Sequence, residues 1–202
     1  MKDSSASSQK SCIVIACGGV GKRMGGQKPA RELGGVSLFR RMSDWAGAQS
    51  DLVAISLRDA RKSPDRNLPL LIDLEGNLGP IAALHSALAF AKDRGRCSVL
   101  LVGCDQPFLP VDLLARLNEE LGDSPAVIPV CEGRPQSLAA LWRSDPAHLE
   151  AFIRSGGRAI WRYADEIGAK RLRWDKSPGK DPFFDVNDME SLAEAERRMR
   201  DE

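Results

Sequence analysis

Residues 16–30 read ACGGVGKRMGGQKPA, with five glycines and three basic residues in fifteen positions. Lys22, Arg23 and Lys28 bring full positive charges. Gly18, Gly19, Gly21, Gly25 and Gly26 have no Cβ, so backbone N–H groups can converge on an anion unobstructed. The chemistry this suits is the holding of a polyphosphate, and the alternative is a glycine-rich turn with solvated charges. Two familiar phosphate loops are excluded by spacing. A Walker loop needs a glycine where Ala16 stands and Ser or Thr where Arg23 stands, and a dinucleotide fingerprint needs a glycine at Met24.

A second chemical position lies mid-chain, in LLVGCDQPFLP, where Asp105 follows an apolar run and precedes a proline. A lone carboxylate of this kind can anchor a hard divalent cation that keeps several waters and shares phosphate oxygens. Asp73, at the end of LPLLID, and Asp185, in FDVNDMESL, stand in similar places. By position alone, each is equally an ordinary turn residue. No Ser/His or Cys/His arrangement is recognisable, and His85 and His148 are too far apart in sequence to suggest a metal site.

These residues need a scaffold. Apolar runs over Cys12–Cys17, Leu52–Leu57, Leu68–Asp73, Ser98–Cys104, Ala126–Val130 and Leu138–Arg143 predict strands. Several are apolar at consecutive positions, the mark of strands covered on both faces. Helical spacing separates them. Ile81, Leu84, Leu88 and Ala91 share a face, with Pro80 at the start and Gly95 at the end. Leu114, Leu117 and Leu121 repeat the scheme before Gly122. NDMESLAEAERRMR closes the chain, with a box-like Asn187 and Glu190 at its start. The alternation predicts an α/β fold, a three-layer α/β/α sandwich on a mostly parallel sheet. In such sheets ligands bind beyond the carboxyl ends of the strands, which is where the glycine loop begins.

The bulk properties narrow the classes. The 202 residues suit one domain, expected over 12–202 behind a polar, disordered tail at 1–11. Net charge is +1, so the whole-molecule field does not argue for nucleic acid or an anionic membrane. No apolar run reaches the roughly 18 residues of a membrane span, and the start lacks the apolar centre of a secretory signal. A cytoplasmic location is expected. Five cysteines with no CxxC pair read as a reducing compartment without structural zinc. Trp142 and Trp161 read as core. RLRWDKSPGKDPF reads as a basic surface loop. Its Trp174, among Arg171, Arg173 and Lys176, is either a platform that stacks on the ring of a ligand or a partly buried residue of a solvated loop.

The glycine loop resembles the opening motif of Rossmann-like nucleotidyltransferases, Gly-Gly-x(3)-Arg-Met-Gly-x(2)-Lys, present here as Gly18, Gly19, Arg23, Met24, Gly25 and Lys28. The doubled Gly25-Gly26 is most similar to molybdenum cofactor guanylyltransferases of the MobA type. Four later stretches agree in order: LPLLID, LGPIAAL, LLVGCDQPFLP, and the late pair RPQSLAALWR and FDVNDMESL. The resemblance thus runs from about Ile13 to Leu192. It implies a fold of the nucleotide-diphospho-sugar transferase type and transfer of GMP from GTP to molybdopterin, with release of pyrophosphate. It implies Arg23, Lys28 and Asp105 as catalytic residues. Cys17, Gly18, Gly19, Lys28, Ser56, Asp73, Gly79, Pro80 and Asp105 would contact nucleotide. Asp105 and Asp185 would hold Mg²⁺, and Gly26, Asn187 and Trp174 are further candidates. Molybdoenzymes or other cofactor-biosynthesis proteins are the implied partners. Four departures keep alternatives open. Cys17 stands for the usual alanine, Gln27 for an acidic residue, Asp185 for an asparagine, and Ser56 for the asparagine that often follows the second strand. Aspartate at 185 is also a feature of cytidylyl relatives, so CTP remains open as the donor. A catalytically silent binding module remains the rival of a different class.

Overall fold

The computed structural model describes residues 11–18, 28–76, 78–176 and 180–200. All six expected strands form: β1 (Ser11–Ala16), β4 (Val53–Leu57), β5 (Leu70–Ile72), β6 (Ser98–Gly103), β7 (Ala126–Cys131) and β9 (Ala139–Arg143). Ser11, assigned above to the tail, is the first residue of β1. With β8 (Arg134–Pro135) and β10 (Lys170–Trp174) they make an eight-stranded sheet ordered β10-β7-β9-β6-β1-β4-β5, with β8 on β7. A separate ribbon pairs β2 (Glu32–Leu33) with β3 (Val36–Ser37).

The central strand shows why consecutive apolar residues were needed. Ile13 and Ile15 of β1 belong to one core cluster, Cys12 and Val14 to the other, and all four have no exposed surface. One face is covered by α1 (Leu38–Gln49) and α3 (Leu113–Leu121), through Phe39, Met42, Ala46, Leu113, Leu117 and Leu121. The other is covered by α2 (Pro80–Asp93), α4 (Pro146–Arg154) and α5 (Ile160–Glu166). A strand buried on both sides reads as continuous hydrophobicity, whereas a half-exposed strand would alternate.

β1, β4, β5 and β6 run parallel in register, with Ile15 opposite both Ile55 and Val102. β9 is antiparallel to its neighbours β6 and β7. The carboxyl ends of β5, β4, β1 and β6 therefore lie along one edge of the sheet. α2 returns the chain from β5 to a parallel β6, so its amino terminus lies on that same edge.

Three readings of the sequence are corrected here. The stretch after Ala169 is not all loop: β10 pairs in parallel with β7 from Lys170 to Trp174. Alternating charged residues disguised it, and charge is what keeps an edge strand from recruiting another sheet. Trp174 is 5% exposed, so it is not a loop platform. The Arg116 guanidinium lies 3.6 Å from its ring centroid and Phe183 meets it edge-on at 5.6 Å. Trp161 is 53% exposed rather than core. α5 turns Ile160, Tyr163 and Ala164 inward, which leaves the intervening position facing out.

Replacing Trp174 with alanine is expected to cost about 3–5 kcal/mol of folding stability, as for other large buried aromatics. GTP affinity should stay within about twofold. Urea denaturation and nucleotide titration on the same preparation check both.

Candidate active site

The carboxyl edge gathers most of the singled-out residues into two adjoining groups. The first is built on Lys28. Its Nζ donates to the carboxylate of Asp105, just past β6, and to Asn187 Oδ1 at 2.6 Å. The side chains of Lys28 and Asp105 keep only 14% and 19% of their surface exposed. The late segment is tied in through its backbone as well, since Val186 N donates to Asp105 O at 2.8 Å. Asp185 thereby comes to lie beside Asp105. Three stretches far apart in sequence meet at one ammonium group.

Asp185 keeps open surface, yet its carboxyl is crowded by protein. Removal from bulk water, reinforced by the negative charge of Asp105, pushes its pKa up to about 6. Lys28 and a hydrogen bond from Gln106 act in the opposite direction. Gln106 is itself buried and accepts from Gly103 N at 3.0 Å. Glycine at 103 makes room for Asp105, because a Cβ there would overlap its Oδ1 unless the carboxylate moved. The sequence reading missed both. The signal was a polar residue directly after a buried strand, wedged between Asp105 and Pro107.

The second group lies at the ends of β1, β4 and β5. Cys17 N donates to Ser56 O at 2.8 Å and Asp73 N to Leu57 O at 3.1 Å, so the ladder holds the three strand ends together. Ser56 is fully buried and its hydroxyl donates to Asp73. It supports Asp73 and presents no surface of its own to a ligand. Asp73 is 7% exposed. Burial pushes its carboxyl up, opposed by the Ser56 hydroxyl, the Arg58 charge and the Ser86 hydroxyl. A Cβ on Gly18 would stand 3.3 Å from Asp73 Oδ2, so the glycine lets the first loop start over this carboxylate. The thiols of Cys17 and Cys104 face each other between the groups, and both that contact and burial hold the Cys17 thiol well above its usual range.

Gly79 precedes α2 with φ +71°, a conformation that favours glycine, and Pro80 fills the first turn, where a missing N–H costs nothing. Asn187 does not cap α6 (Met189–Arg200). Asp188 does so, accepting from Ser191 N at 2.8 Å, while Ser191 Oγ accepts from Asp188 N at 2.9 Å. Asn187 is thus left free to reach Lys28. His85 packs between helices, 3.4 Å from Glu150, and His148 is largely solvent-facing. Gly19, Arg23 and Gly26, like Lys22, Met24, Gly25 and Gln27, lie outside the described residues. Trp174 does not join the site. β10 ends the sheet order three strands away from β6.

Among the described residues no three His, Cys, Asp or Glu side chains converge as a metal cage. The oxygen pair of Asp105 and Asp185 is instead a partial site, of the kind that a small hard cation completes with water and phosphate. Removal from water is the main cause of the raised Asp185 pKa, and the Asp105 charge the second. In chemical terms the arrangement suits phosphate at Gly18 and Lys28 and a divalent ion at the two acids.

Residues 13–169 match the family described as MobA-like NTP transferase domain. The molybdenum cofactor guanylyltransferase of Rhodobacter capsulatus is 37% identical, over 93% of this chain and 95% of that protein. That of Rhodopseudomonas palustris strain HaA2 is 33% identical over 91% and 89%. The chain belongs to the MobA-like NTP transferase family. It is a nucleotidyltransferase, an enzyme whose reaction depends on a nucleoside triphosphate. The fold agrees: the crystal structure of molybdopterin-guanine dinucleotide biosynthesis protein A from Archaeoglobus fulgidus superposes with a TM-score of 0.75, at 24% identity, over 94% of this chain and 99% of that one. No helix among the described residues is long and apolar enough to cross a membrane.

The Asp185 carboxyl predicts a pH signature. Its folded pKa of about 6 lies above the ordinary 3.8, so its favourable contribution is full below pH 4 and is lost as pH rises through 6. In metal-free buffer, Asp185→Asn should therefore gain stability relative to the parent between pH 4 and 6, and the gain should level off above pH 7. Urea midpoints across this range check the sign.

Proposed function

We propose that this enzyme transfers GMP from GTP to the terminal phosphate of molybdopterin, forming a guanine dinucleotide and releasing pyrophosphate. The observation that carries the reading is the meeting of Lys28, Asp105, Asp185 and Asn187 at the carboxyl edge of the sheet, in a chain whose relatives bear the guanylyltransferase name. In the reaction an acceptor phosphate oxygen bonds to the α-phosphorus of GTP. The α–β anhydride bond breaks, and its electron pair leaves on pyrophosphate.

Both reactants are anions, so gathering them is the electrostatic problem. Lys28, the Gly18 end of β1 and, from the first loop, Arg23 and Gly19 neutralise and orient the phosphates. Asp73, braced by Ser56, faces the nucleotide beneath Gly18, and Gly79-Pro80 opens α2 toward the same edge. Asp105 and Asp185 would hold Mg²⁺, which when bound supplies charge neutralisation at the phosphates. No protein nucleophile is required. Lys28 must then release Asp105 at least in part and turn to phosphate, which its long flexible stem allows.

Thermal shift with GTP, CTP, ATP and UTP, each with Mg²⁺, tests the nucleotide. A ligand at 100 to 1,000 times its dissociation constant adds about 3–4 kcal/mol. GTP is expected to stabilise selectively; selective stabilisation by CTP would overturn the guanine assignment. Asp105→Asn should keep the fold and lose at least about a hundredfold in pyrophosphate release with molybdopterin supplied, in line with losses on removing a group that stabilises developing charge. Unchanged turnover would remove Asp105 from the chemistry.

A further inference from the structure

The corner built on Lys28 and Asp105 leaves the ring of the acceptor without a place. β7 runs parallel to β6, because β9 is antiparallel to both, and β10 is parallel to β7. The carboxyl ends of β7 and β10 therefore lie on the same edge as Asp105. They stand two and three strands along it, about 10–14 Å at the usual strand spacing. A cavity of about 930 Å³ opens there. Val130, Pro135 and Trp174 give it apolar walls, while Arg171, Arg173 and Lys176 bring charge. Each of these cations already has a carboxylate: Arg171 pairs with Asp165, Arg173 with Asp175 at 2.8 Å, and Lys176 with Glu132 at 2.6 Å. The lining is thus close to neutral. It is no second cradle for phosphate, and it suits an uncharged ring whose phosphate lies elsewhere.

Glu132 indicates what that ring must offer. It and Gly133 alone join β7 to β8, with φ of +49° and +75°. Two-residue hairpins with positive φ at both positions favour Asn-Gly, Asp-Gly or Gly-Gly. Among the described residues Glu132 is the only one besides glycine with positive φ. Glutamate has no conformational advantage there, so the strain points to a task for its carboxylate. The hairpin sets that carboxylate at the cavity wall, where Lys176 meets one of its oxygens. The side chain remains 58% exposed, so the lysine does not use it up. A carboxylate has about four acceptor positions, which leaves room for two further donors.

We propose that this cavity takes the pterin ring of the acceptor, with Glu132 accepting the amino and ring N–H donors of its 2-amino-4-oxo edge. This assignment rests on the reading above, in which the acceptor's phosphate meets GTP at the Lys28 corner. Such an edge sets two N–H groups side by side, and one carboxylate accepts both, as it does from a guanidinium. Guanine carries the same edge, so the donor nucleotide is the other source of this chemistry. The residues assigned to the nucleotide, Gly18 and Asp73, follow β1 and β5, on the far side of β6 from β7 and β10. That separation favours the pterin.

The probes are 6-hydroxymethylpterin and 6-hydroxymethyllumazine, which carries oxygen in place of the amino group. Binding to the full chain is followed by their fluorescence. The pterin should bind, and the lumazine about 10- to 100-fold more weakly, the cost of losing a hydrogen bond to a charged group. Glu132→Asn should abolish that preference and weaken pterin binding by a similar factor. It should also raise the urea midpoint, because asparagine tolerates the left-handed turn. Lys176→Met breaks the ion pair but keeps the carboxylate, and should leave the preference in place. Affinity for a non-hydrolysable GTP analogue should not change in either variant. Equal binding of the two probes by the parent, or unchanged pterin binding by Glu132→Asn, would overturn the proposal. So would a Lys176→Met variant that loses the preference as fully as Glu132→Asn, since the ion pair would then be a structural tie. Competition between pterin and GTP analogue, with analogue affinity lost in Glu132→Asn, would assign the cavity to guanine instead. Transfer from GTP to molybdopterin is assayed separately. A parent that binds the pterin as described yet forms no guanine dinucleotide would sink the reaction proposed above and keep this site. Normal transfer with no pterin binding would sink the site alone.

Discussion

Two carboxylates crowded together at the rim of a sheet are unstable without a cation, and much of this structure answers that constraint. Asp105 and Asp185 come from opposite ends of the second half of the chain, and the charge of Asp105 adds to the cost of ionising Asp185. The Lys28 ammonium offsets part of that cost, and Asn187 steadies the ammonium. The arrangement is an anion-rich corner with one mobile positive charge. In the proposed function, a phosphate-bound divalent ion would enter the same corner and the triphosphate would meet the same lysine. Binding would then exchange one set of charge partners for another without creating an unpaired charge, which would be far more expensive.

The scaffold makes that corner possible by ending its strands in the right places. Ile13, Ile15, Cys12 and Val14 clamp β1 between two helical layers, so its end is as fixed as anything in the molecule. Glycine at 18 and 103 then lets carboxylates fold in close to the backbone. The antiparallel β9 matters by stopping short, because the unpaired Gly103 amide it leaves is what draws Gln106 inward. Packing and polar satisfaction are continuous here. The core sets the strand ends, the ends leave specific backbone groups without ladder partners, and side chains such as Gln106 satisfy them.

The Asp73 group follows the same logic with less charge. A buried carboxyl next to Ser56, within reach of Arg58, is kept polar by hydrogen bonds while burial disfavours its ionised form. Such a group responds strongly to a ligand that brings donors close. Gly18 stands over it, so the end of β1 and the Asp73 group are coupled through one strand end.

The sequence alone determined the layers and the edge. Unbroken apolar runs mean strands covered on both faces, and glycine with lysine after the first of them points to the edge where a ligand is expected, because both signals are local and strong. Asp105, Lys28 and Asn187 stood out as candidates for the same reason, as polar residues at element ends. What only the tertiary structure decided is who pairs with whom. Asn187 binds Lys28 because the neighbouring Asp188 takes the cap. Ser56 turns to Asp73 because adjacent parallel strands bring them side by side. Trp174 is wall because β10 pairs with β7 and Arg116 covers its ring. Gln106 turns inward to Gly103 because β9 stops short. Each of these depends on contacts between residues distant along the chain, whose spacing carries no periodic signal, and charge on an edge strand conceals the one signal that β10 would otherwise have shown.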